Sequence, residues 1–118
     1  MISAVLRVHA TDFEPKAFIK EFCIDPDAVF ESGFNMCLAD TPKKDQFLEE
    51  FSEALHNSRD IFKELSKRGI EAKIDIGVTV GTEEQYACSI ALSVEVMKLL
   101  TAHGIQLVFS AYPACDDT

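Results

Sequence analysis

The sequence predicts an α+β fold: a largely antiparallel β-sheet of four to six strands with helices packed on one face. Three observations predict it. Residues 70–80 alternate, with Ile70, Ala72, Ile74, Ile76, Val78 and Val80 on one side and Glu71, Lys73, Asp75, Gly77 and Thr79 on the other, the period of a half-covered strand. Phe47, Leu48, Phe51, Leu55, Phe62 and Leu65 recur at three- and four-residue spacing, which is an amphipathic helical stripe. Short aliphatic runs bounded by turn residues fill most of the rest. Strands with one apolar face need cover on one side only, and that favours antiparallel pairing beneath a single helical layer.

Residues 2–10 are short, aliphatic and β-branched and end in a polar turn, so they read as the first strand. Thr11 or Asp12 can cap a helix whose first turn holds Glu14 and Pro15, where proline's missing N–H has no partner to lose. Phe18, Ile19 and Phe22 form its apolar face, and Asp25-Pro26-Asp27 is a turn. Residues 28–30 and 34–39 read as two short strands around Ser32-Gly33.

Thr41-Pro42 reads as a second helix start, with the hydroxyl as cap. Gly69 ends this helical span after Lys67 and Arg68, which suit the negative end of the helix dipole. A straight helix over the whole span would be about 40 Å long, as wide as the domain, so a break is expected near His56-Asn57-Ser58. After the strand at 70–80, a turn at 81–84 and a strand near 86–91 suggest a tight antiparallel connection. Ser93 caps a further helix with Glu95 in its first turn and Met97, Leu99 and Leu100 among its apolar positions, ending at His103-Gly104. Residues 105–111 make the last strand. The chain thus reads β-α-β-β-α-α-β-β-α-β, one domain over residues 1–112 with a loose tail at 113–118.

The net charge of -9 opposes binding to nucleic acid or to an anionic membrane. Residues 1–40 hold three basic and seven acidic side chains, 69–118 hold two and seven, and 41–68 hold six of each. The two ends therefore supply the whole excess, and the helical middle is a balanced solvated surface. No apolar run approaches the ~20 residues of a membrane span. The first residues lack the pattern of a secretory signal, so a cytoplasmic location is expected. Cys23, Cys37, Cys88 and Cys115 form no C-x-x-C pair. They read as structural thiols, with Cys37 and Cys88 expected to be buried on strands, and no disulfide or metal is expected.

A search for chemistry finds no G-x-G-x-x-G, Walker loop, H-E-x-x-H or G-x-S-x-G. Of the three histidines, His56 and His103 suit surface helix and helix end, and His9 closes the first strand. Asp25-x-Asp27 lacks the further ligands of a calcium loop. Asp75 lies on the polar strand face near Gly77, where a ligand or a neighbouring backbone can approach closely. The chain is therefore expected not to be an enzyme and to need no cofactor.

Ala4-Val5-Leu6-Arg7-Val8, Asp12-Phe13-Glu14-Pro15, Ser32-Gly33-Phe34, Ile74-Asp75-Ile76-Gly77-Val78 and the closing Leu92-Ser93 to Gly104-Ile105-Gln106-Leu107 resemble, together, the bacterial domain-of-unknown-function family numbered 4279. The resemblance implies an α+β fold and no established activity. Phe34 stands where that family commonly has tryptophan. A looser resemblance is to bacterial toxin-immunity proteins, which are small, acidic, and bind one toxin domain, often a basic nuclease.

Together these readings lead to the expectation of a non-catalytic protein-binding module, most concretely an immunity-type inhibitor that blocks a basic toxin domain. Its partner-binding residues would be the loop carboxylates Asp25, Asp27, Glu31, Glu83 and Glu84, with Phe30, Phe34 and Tyr86 as aromatic anchors. Two alternatives stay open: a small-molecule-binding or regulatory domain using the open sheet face around Asp75 and Gly77, and a homodimeric structural subunit paired through an edge strand.

Overall fold

The computed structural model describes residues 1–80 and 89–113. In chain order it contains β1 (Ile2–His9), α1 (Pro15–Glu21), β2 (Ala28–Phe30), β3 (Gly33–Thr41), α2 (Lys44–Asn57), α3 (Arg59–Lys67), β4 (Ala72–Val80), α4 (Val94–Ala102) and β5 (Gln106–Pro113). The strands form one sheet in the order β2-β3-β1-β4-β5. All neighbours are antiparallel except β4 and β5, which run parallel with Ile76 beside Phe109. A parallel pair needs a crossover connection, and α4 lies within it. The expected turn at 81–84 and most of the strand near 86–91 fall on residues 81–88, outside the described residues; Ser89, Ile90 and Ala91 are not in a strand.

Alternation in β1 and β4 builds the core. Ile2, Ala4, Leu6 and Val8 are buried opposite Val78, Ile76, Ile74 and Ala72. These side chains form one cluster with Phe47, Phe51 and Leu55 of α2, Phe62 and Leu65 of α3, and Leu100 of α4. Between Ala4 and Val5 the register against β3 slips, so Ala4 faces Ala39 while Val5 faces Cys37. Leu38 is the extra residue of this β-bulge, which lets Leu38 and Ala39 both be buried.

The long helical span breaks where expected, at Ser58, which is buried between α2 and α3. The start signals of α1 and α2 lie two to three residues ahead of the observed cap positions, Glu14 and Lys43. β3 runs through Thr41, and α2 begins at Lys44 without a side-chain cap. The Thr41 hydroxyl instead accepts from the Lys43 amide at 3.1 Å, holding the strand-to-helix corner. For α1 the cap position is Glu14, with Pro15 in the first turn, and Asp12 takes a positive φ of 62°. Ser93 does cap α4, accepting from the Val96 amide at 3.2 Å. Met97 is exposed, and Leu100 carries that helix's buried contact.

Three helices end in one motif. In α3 and α4 the Ile70 and Ile105 amides reach back to the Leu65 and Leu100 carbonyls, each at 2.9 Å, across Gly69 and Gly104 at positive φ. In α1 the Ile24 amide bonds to the Ile19 carbonyl at 2.9 Å, but the left-handed position is Cys23, with φ 53°. A side chain there crowds the following carbonyl. Cys23 is exposed, so its thiol offers little packing in return. Cys23→Gly is expected to raise folding stability by about 1 kcal/mol in urea unfolding.

Phe13, Phe18, Phe22 and Phe34 pack ring on ring beneath α1. Arg68 covers this group: its guanidinium carbon lies 5.3 Å from the centre of the Phe18 ring. The same side chain meets Glu64 at 2.7 Å and Glu21 at 3.2 Å, which ties α3 to α1 and moves its pKa further upward. The helical layer is thereby closed at this end, and among the described residues no helix covers the opposite sheet face.

Candidate functional site

The expected anchors and carboxylates separate into three groups. Asp25 and Asp27 are exposed in the loop between α1 and β2, and Glu31 is exposed in the turn after β2. Phe30, on β2 between them, is 54 % exposed, and its neighbour Val29 is 43 % exposed. These residues lie on or beside β2, which among the described residues is an edge of the sheet. Phe34 does not join them: it is fully buried, opposite Val8 and Val29, with its ring 6.1 Å from Phe18. The reading of Phe34 as a surface anchor is therefore corrected. Successive residues of a strand point to opposite faces, and its pairing with Val8 places Phe34 on the core face. Glu83, Glu84 and Tyr86 lie outside the described residues.

The edge is built on fixed backbone. The Asp27 amide donates to the Asn35 carbonyl at 2.8 Å, and the Ala10 amide to the Ser32 carbonyl at 3.0 Å. Three residues of β2 pair with β3, from Ala28 against Asn35 to Phe30 against Gly33. An exposed aromatic on such a pinned turn loses little conformational freedom when it meets a partner.

Cys37, expected to be buried, is exposed on the open sheet face opposite Val5. Partial burial, together with Asp27 and Asp40, pushes its thiol pKa up. A thiol held in its protonated form is a poor nucleophile. Among the described residues no group of three or more His, Cys, Asp or Glu side chains is placed to hold a metal ion, and no helix is long and apolar enough to cross a membrane.

The open face contains an arrangement that sequence reading touched only at Asp75. The Ser110 hydroxyl donates to Asp75 Oδ1 at 3.0 Å, and Arg7 Nη2 meets Asp75 Oδ2 at 3.5 Å. With its amide turned to satisfy both contacts, Asn35 accepts from Arg7 Nη1 at 3.0 Å and donates to the Phe34 carbonyl at 3.2 Å. This row of polar groups crosses β3, β1, β4 and β5. Asp75 keeps only 17 % of its side-chain surface exposed. At Gly77 the close approach comes from the chain itself, since the Tyr112 ring and the Ser3 hydroxyl occupy the space a side chain would take. Beside the row, Arg7, His9, Glu71, Ala72, Lys73, Gly104 and Gln106 line a cleft of about 340 Å³.

Comparisons with family models, with curated proteins and with solved structures find no match to this chain.

Proposed function

We propose that the chain is a non-catalytic protein-binding module, most concretely an immunity-type inhibitor that seats on a basic toxin domain and blocks it. The observation that supports this reading is the β2 edge, where exposed Phe30 and Val29 stand among exposed Asp25, Asp27 and Glu31. An exposed aromatic flanked by acidic loops fits a protein interface with a polar rim. The net charge of -9 selects a basic partner by long-range attraction. The cytoplasm, where such an inhibitor would meet a toxin, belongs to the same reading.

The test is capture by the immobilised chain, with Phe30→Ala and Asp25→Lys/Asp27→Lys run beside the wild type. A basic protein retained by the wild type and lost by both variants is the expected result. Phe30→Ala should weaken binding by about 2 kcal/mol, in the range of interface anchors, while changing folding stability by only about 0.5 kcal/mol, because the ring is exposed. Equal retention by all three proteins would contradict the reading.

A second reading, self-association through β5, is favoured by one observation. Among the described residues β5 is an eight-residue edge strand with Phe109 and Tyr112 exposed. Sedimentation over a wide concentration range distinguishes it, since a β5-paired dimer would dissociate on dilution.

A further inference from the structure

The cleft on the open sheet face goes beyond the protein-binding reading, and we infer that it is a binding site for a small anionic molecule carrying a phosphate or carboxylate group. Its lining reverses the character of the chain. The whole sequence has 20 acidic and 11 basic residues, yet this cleft sets Arg7 and Lys73 beside a single carboxylate, Glu71, with His9 and Gln106 also in its wall. At the same end of the sheet, on the helical side, a cleft of about 410 Å³ offers a contrast: it is lined by Asp12, Glu14 and Glu21, and its cation, Arg68, is already in ion pairs.

Strand register brings the cationic groups together. Arg7 and Lys73 are direct partners across the antiparallel β1–β4 pair. Their Cβ atoms are therefore about 5 Å apart, a placement that is unfavourable for like charges unless an anion answers them. Asp75 answers Arg7 only. The side chains of Lys73, His9 and Gln106 make no ion pair or hydrogen bond with other described residues. Gln106 lies beside Lys73 on β5 and adds amide donors to the same cleft.

The guanidinium of Arg7 is oriented before any ligand arrives. Asn35 holds one of its nitrogens and Asp75, itself held by Ser110, the other. A pre-oriented guanidinium next to an ammonium that has no partner among the described residues suits the oxygens of a phosphate or carboxylate, because little freedom remains to be lost on binding.

Titration of the ¹⁵N-labelled chain with inorganic phosphate, and separately with succinate, tests this at constant ionic strength with chloride as the control anion. The expected result is saturable shifts confined to the amides around Arg7, His9, Lys73 and Gln106. Tighter binding of one probe identifies the phosphoryl or the carboxylate class. Lys73→Gln, on an exposed position that leaves the Arg7–Asp75 contact intact, should weaken binding by about tenfold or more. Lys98→Gln, on α4 and outside the cleft lining, should leave it unchanged. Shifts that do not saturate, that chloride reproduces, that persist in Lys73→Gln, or that Lys98→Gln reduces equally would overturn the assignment.

Discussion

Replacing Gly33 by alanine is expected to lower folding stability by about 3 kcal/mol or more, because the new methyl group has nowhere to go. A Cβ at this position would sit 2.1 Å from the Val8 carbonyl oxygen. That oxygen belongs to β1, which is paired on both sides by β3 and β4 and cannot retreat without breaking ladder bonds. The contrast within the same protein is Gly77. There a methyl group would meet the Tyr112 ring at 3.1 Å and the Ser3 hydroxyl at 3.2 Å, both ends of side chains that can turn aside. Gly77→Ala should therefore cost about 1 kcal/mol or less. Urea unfolding of both variants measures the difference, and equal losses would mean that the β1–β3 approach is looser than described.

Ile76→Ala should cost about 2–5 kcal/mol, the range for a buried aliphatic truncated in a core that relaxes only in part. Ile76 is fully buried on β4, opposite Ala4 and beside Phe109, so the residues around it are held on two strands. Lys73, on the same strand, faces the other way and is exposed. Lys73→Ala should change stability by only about 0.5 kcal/mol. The pair of variants tests the two-faced strand itself: comparable losses at both positions would contradict one-sided cover.

The two-faced strand was legible in the sequence because period two needs only local information. The same rule, carried through β3, would also have placed Cys37 outward, since Phe34, Met36 and Leu38 alternate with Asn35 and Cys37. Hydrophobic neighbours on either side of Cys37 outweighed that count. Phe34, expected as an aromatic anchor, is turned inward by its pairing with Val8, which depends on strand neighbours and not on local pattern. The helix ends at Gly69 and Gly104 announced themselves through glycine, but the equivalent end at Cys23 carried no such signal. The Arg7–Asp75–Ser110 row and the cleft beside it depend on which strands are neighbours. Residues 68 and 35 positions apart meet there, and no local pattern encodes that pairing.

Asp25, Asp27 and Glu31 were legible as loop carboxylates because turn residues surround them, and Phe30 shares their edge. What the sequence left open was their shared edge, which follows from β2 pairing outside β3.

The central claim, that this acidic edge meets a basic protein, is tested most directly by the association rate of the captured partner against ionic strength, for the wild type and for Asp25→Lys/Asp27→Lys. Salt shortens the Debye length from about 10 Å at 0.1 M to about 3 Å at 1 M, so steering by the edge predicts a wild-type rate that falls steeply over this range. The charge-reversed variant should associate about tenfold more slowly at low salt and converge on the wild type at high salt. A wild-type rate independent of salt, or a variant that associates as fast as the wild type at low salt, would contradict the claim.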